Sequence, residues 1–122
     1  MDGYLVKITP DRSAHLIPCH EAPISFEFHT SHIGEDFQWI DHPRGDYLAV
    51  IADPTTTSHP RNGWATAYTG RPIHGDALVT GQEMGEDVPL THTQATAVLA
   101  QVFLIGRLAT ALHTAAATAC HR

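Results

Sequence analysis

The chain opens on two short runs of strand-forming residues, Tyr4-Leu5-Val6-Lys7-Ile8 and Ala14-His15-Leu16-Ile17-Pro18. Between them lies Thr9-Pro10-Asp11-Arg12-Ser13, whose proline and aspartate are turn formers, so the segment predicts a hairpin. Residues 24–33 fit two periods. Ile24, Phe26 and Phe28 alternate with Ser25, Glu27 and His29 as a strand would, while Pro23 is equally suited to open a helix. A second hairpin is predicted from Phe37-Gln38-Trp39-Ile40 and residues 46–53, its second strand the better buried. Residues 54–61 lack an apolar period and read as a loop, the candidate mobile segment of the chain. Residues 75–81 read as one more strand, and residues 82–88 as a polar turn.

The strongest pattern comes last. Thr91 followed three residues later by Gln94 makes a capping box, in which a hydroxyl and an amide satisfy each other's orphan backbone N–H groups. Val98, Val102, Ile105, Ala109, Leu112 and Ala116 then recur at steps of four and three, and Leu99, Phe103, Leu104 and Leu108 widen the stripe. The expected element is a helix over 94–119 that needs cover on more than one side, from its own sheet and, along its outer face, from a second copy of the chain. Gln101, Arg107, His113 and several threonines interrupt it before 18 consecutive apolar residues are reached, so no membrane span is expected. The expected fold is a single α+β domain over 1–122: a small, mostly antiparallel sheet of four to five strands, one or two short helices and the long apolar C-terminal helix.

Composition narrows the range of functions. Charged residues make up 16% of the 122, against about 25% in ordinary globular domains, so the surface is poor in charge. The formal net charge is −6, and the six arginines and single lysine are scattered; duplex nucleic acid is therefore not the expected partner. The ten histidines make the chain histidine-rich and bring net charge toward zero as pH falls through their titration range. The residues after Met1 show no basic-then-apolar leader, so the expected location is cytoplasmic. Cys19 and Cys120 lack C-x-x-C spacing and read as ordinary thiols.

Candidate chemistry is sparse. His29 and His32 stand at i and i+3, a spacing that lets two imidazoles share a helix face and chelate a metal, with Glu27, Glu35 and Asp36 nearby. A third ligand at a diagnostic spacing is missing, and no cofactor is assigned. His74-Gly75-Asp76 and Asp41-His42 put an imidazole near a carboxylate, the pairing that orients a general base, yet no nucleophile elbow or phosphate-cradling glycine loop occurs. Trp64, with Trp39, Tyr47, Tyr68 and Phe37, offers aromatic surface for a base, and Arg61 and Arg71 bracket it.

The segments Pro60-Arg61-Asn62-Gly63-Trp64-Ala65-Thr66-Ala67-Tyr68, Ile73-His74-Gly75-Asp76-Ala77-Leu78-Val79 and Val88-Pro89-Leu90-Thr91 with Gln94 resemble a bacterial and phage family, the domain of unknown function numbered 3846. The resemblance covers about residues 36–98. It implies an α+β fold, a helix over 24–33, and a gene carried by phages and mobile elements. Gly63 stands where the family commonly has proline, and the alanine- and threonine-rich extension past Ala100 is this chain's own. Asn62, Thr66 and Asp76 are the matching polar positions. No catalytic residue transfers, because the family has no established activity.

The expectation is thus a non-catalytic accessory or binding protein, homodimeric through its C-terminal helix. It would take a protein or small ligand at a face built from Arg61, Asn62, Trp64, Thr66, Arg71, His74 and Asp76. Two rivals stand beside it: a small histidine-dependent, metal-assisted hydrolase using His29 and His32, and a nucleotide-sequestering module on Trp64, Arg61 and Arg71.

Overall fold

A computed structural model of the chain describes residues 3–34, 38–41, 48–53 and 59–120. In chain order the elements are β1 (Tyr4–Thr9), β2 (Ser13–Pro18), α1 (Phe26–Ile33), β3 (Gln38–Asp41), β4 (Leu48–Asp53), α2 (Gly63–Thr69), β5 (His74–Glu83), β6 (Glu86–Val88) and α3 (His92–Cys120). The strands form one antiparallel sheet in the order β2-β1-β5-β4-β3, with β6 pairing β5 beyond the end of β1. The class is the expected α+β, with both hairpins, two short helices and the long C-terminal helix.

β5 occupies the centre because its sequence suits burial on both faces. Ala77, Leu78, Val79 and Thr80 are all fully buried, a run without polar alternation of the kind expected of an interior strand. Its side chains, with those of β1, split by parity between two cores. Val6, Ile8, Ala77 and Val79 join Trp64, Tyr68, Ile73, Leu90, Val98 and Val102 beneath α2 and α3. Leu5 and Leu78 join Cys19 and Ile24, with Phe28 and Ile33 of α1 packed against them. The sheet is therefore covered by α1 on one face and by α2 and α3 on the other.

The local reasons are visible at each boundary. Residues 24–33 resolve in favour of helix: the Ser25 hydroxyl caps α1 by accepting from the Phe28 N–H at 3.1 Å. The capping box at α3 forms in both directions, with Thr91 N–H donating to Gln94 Oε1 at 3.0 Å and Gln94 N–H to Thr91 Oγ1 at 3.1 Å. The helix it opens begins at His92 and continues to Cys120, slightly beyond the expected span at both ends. Residues 54–58 of the expected loop lie outside the described residues, and its last residue, Arg61, bridges to His74.

One expectation fails. Residues 82–88 are not merely a polar turn: β5 runs on to Glu83 and returns as β6, with Glu83 opposite Glu86. The two turn residues, Met84 (φ 51°) and Gly85 (φ 81°), both adopt the left-handed conformation that matches the twist of a tight hairpin. An edge hairpin held by its backbone ladder needs little apolar periodicity, and here Glu83, Met84 and Glu86 all face solvent. Among the described residues the sheet accordingly has six strands.

Asn62 joins the layers. It is completely buried. Its carbonyl oxygen accepts from the Ala65 N–H at 3.0 Å, capping α2, while its amide donates to Ile8 O and Gly75 O, both at 2.9 Å. Its own N–H donates to Ile73 O at 2.8 Å. Asn62→Ala is expected to destabilise the protein by about 3 kcal/mol or more, because a cap and two donors to buried carbonyls are lost together. Asn62→Asp should be no better, since it keeps the cap but turns a second acceptor toward two carbonyl oxygens; urea unfolding of both variants checks this.

Candidate functional site

Where β1 turns into β2, the chain passes close to the start of α2 and to the middle of α3, leaving a groove of about 490 Å3. The β1–β2 turn contributes Pro10 and Arg12; Arg61, Gly63, Trp64, Thr66 and Ala67 come from α2 and its approach; Ala109 and Thr110 come from α3. Its base is set by the fit of α2 against α3. Gly106 lets the indole of Trp64 lie against the α3 backbone, since a Cβ at that position would fall 2.5 Å from Trp64 Cδ2. Phe103 meets the same ring edge-on at a centroid distance of 5.2 Å. The Thr66 hydroxyl oxygen accepts from the Ile73 N–H at 3.0 Å, which fixes its place on the wall and leaves its hydrogen to donate.

Three of the residues singled out in the sequence meet here: Arg61, Trp64 and Thr66. The others go elsewhere. Asn62 is spent on the fold, and Arg71 follows the far end of α2. Asp76 pairs with Lys7 at 3.5 Å and lines a smaller adjoining recess of about 180 Å3 with Ile33, His59 and Gly75. His74 Nδ1 is buried without a hydrogen-bond partner, so Asp76 does not orient it as a carboxylate orients a general base. The Asp41-His42 pair includes a residue outside the described ones. Trp64 is only 8% exposed; with one face on Gly106 it presents no open π-surface on which a base can stack.

The histidine pair on α1 also separates. His29 is turned into the interior, 1% exposed, and its Nε2 lies 3.1 Å from Asp87 Oδ2. That contact ties α1 to β6, as does the bond from Ile24 N–H to Asp87 O at 2.8 Å. His32 instead lies against Phe28, with ring centroids 4.8 Å apart. The i, i+3 spacing is present on the helix, but one imidazole is committed to a buried carboxylate and the other to a ring contact. Among the described residues no group of three or more His, Cys, Asp or Glu side chains gathers in a way that would hold a metal. Cys19 is a free, buried thiol whose pKa is pushed up by burial, opposite to the activation of a nucleophile.

Sequence reasoning missed Pro10, Arg12, Gly63, Ala67, Ala109 and Thr110. Arg12 alone carried a signal in the sequence, as an arginine within the predicted turn after Pro10 and Asp11. The α3 residues reach the groove only through tertiary packing. No family model, curated protein or solved structure matches the chain.

Burial, and after it the nearby charge of Lys7, holds the His32 imidazole below its ordinary pKa of 6.5. The unfolded chain therefore binds this proton more readily than the folded one, and the associated stability is present above the ordinary value and lost as pH falls below it. His32→Asn is expected to reduce the drop in urea midpoint between pH 7.5 and pH 5.5 relative to the parent protein.

Proposed function

We propose that the protein is a non-catalytic binding protein, cytoplasmic and of the accessory, mobile-element type suggested by its resemblance, which holds a ligand or a partner segment in the groove between the β1–β2 turn, α2 and α3. The carrying observation is the groove itself. Its volume lies within the roughly 300–1,000 Å3 usual for ligand sites, and it combines apolar walls with two guanidinium groups and a threonine hydroxyl. Among the described residues no pair suited to catalysis is assembled there: the buried imidazole of His29 serves the fold, and His74 and Asp76 do not pair. A thermal-shift screen of the protein against a metabolite panel tests the reading. A ligand at about 100 times its Kd adds roughly 2.7 kcal/mol of stability, and that gain should vanish in Ala67→Trp, which fills the groove. Turnover of a panel compound that disappears in His74→Ala or Asp76→Ala would overturn it.

The binding protein acts as a homodimer through the outer face of α3. The helix buries Ala95, Val98 and Val102 against its own sheet and α2, yet the opposite side exposes Leu104 (62%), Leu108 (55%) and Leu112 (71%) at successive fourth positions. Ala97 and Gln101 continue that exposed stripe without a charge. At about 1.5 Å per residue the 29-residue helix is roughly 43 Å long, enough to lie along a second copy, and each leucine covered contributes about 1.5–3 kcal/mol. α3 is also long and apolar enough over His92–Leu112 to cross a membrane, by length and composition, so the measurement needs two arms. Sedimentation should give a dimer for the parent and a monomer for Leu108→Glu. Co-sedimentation of the parent, but not of that variant, with neutral phosphatidylcholine vesicles would assign the face to lipid instead.

A further inference from the structure

We infer that the occupant of the groove is an organic anion, a carboxylate or phosphate ester with an apolar body, and that Arg12 and Arg61 read its charge. The inference rests on the groove being the binding site, as proposed above. Arg12 and Arg61 arrive from separate parts of the fold, the β1–β2 turn and the approach to α2, and both line the groove. Neither forms an ion pair among the described residues. Among the described residues none that lines the groove is acidic, although the chain carries 13 acidic residues against 7 lysines and arginines. Two cations on one groove with no counter-charge among the described residues, in a protein of net charge −6, make a local field of opposite sign to that of the whole molecule. Such a field favours an anion. Guanidinium groups present paired N–H donors that match the two oxygens of a carboxylate or phosphate, and the Thr66 hydroxyl hydrogen adds a third donor on the same wall.

The backbone of Arg12 supports the assignment. Pro10, Asp11 and Arg12 form a three-residue loop closed by the pair Thr9 and Ser13, with the Thr9 hydroxyl donating to the Asp11 carboxylate inside the turn. The third position of such a loop takes a left-handed conformation and commonly holds glycine. Arg12 adopts it at φ 63°, at some loss of stability that glycine would avoid. Ala67, Ala109 and the edge of Trp64 leave apolar wall beside the two cations, and this fits a ligand with a charged head and an apolar body.

The test uses phenyl phosphate and phenylacetate as probes, with benzyl alcohol as the neutral comparison, each titrated by ligand-observed NMR into the full chain. At least one anion should bind tenfold or more tighter than benzyl alcohol, and which of the two binds tighter distinguishes a phosphate from a carboxylate ligand. Arg61→Gln and Arg12→Gly should each weaken the anion tenfold or more. Arg12→Gly should do so while being no less stable to urea, because glycine accepts the left-handed backbone; that combination is not produced by a merely structural arginine. Equal binding of anions and benzyl alcohol, unaffected by either arginine variant but abolished by Ala67→Trp, would overturn the anion inference and leave the groove as the site. Absence of binding by every probe, or binding unchanged in Ala67→Trp, would overturn both.

Discussion

The side-chain amide of Asn62 is the joint on which the arrangement depends. The ladder between β1 and β5 ends at the pair Ile8 and Ala77, and past that point the carbonyls of Ile8 and Gly75 are bridged by the two amide hydrogens of Asn62. The same side chain's oxygen starts α2. Buried carbonyls left without donors are expensive, so the residue that satisfies both also fixes where the helix begins and how it sits on the sheet. The α2 wall of the groove follows from that position: Gly63 and Trp64 are the next two residues, and Thr66 is one turn on.

Against this joint, α3 supplies the second wall. Its contact with α2 turns on a size match, the bare backbone of Gly106 beneath the indole of Trp64. A helix interior ordinarily favours alanine over glycine by about 1 kcal/mol, so glycine here reflects the close approach of a rigid ring. The helix then has two apolar sides with different fates, one consumed by the core and one left to solvent in the single chain. The groove takes Ala109 and Thr110 from this helix, while Leu104, Leu108 and Leu112 face solvent.

The polar groups that looked most chemical in the sequence mostly serve the fold. His29 with Asp87 holds α1 to the end of the sheet, and Lys7 with Asp76 spans β1 and β5. A buried pair of this kind is costly to break by removing one partner, because the remaining polar group is stranded. Arg12 and Arg61 are different: they are exposed, come from different parts of the fold, and their side chains make no ion pair among the described residues, and for that reason the proposed binding rests on them.

By itself the sequence determined the elements whose causes are local. The β1–β2 hairpin followed from its proline and aspartate turn, and α3 from the Thr91 and Gln94 box and its period, because each is decided by residues within a few positions of one another. The 82–88 segment misled because an edge hairpin is held by backbone hydrogen bonds, which leave little trace in side-chain pattern. Of the candidate site, Arg61, Trp64 and Thr66 were legible as neighbours in one short segment. Tertiary structure alone decided that Arg12 joins them from 49 positions earlier and Ala109 from α3, that His29 turns inward to Asp87, and that Trp64 is covered rather than open. Which surfaces meet depends on how layers stack, a property of packing between distant segments that no local pattern encodes.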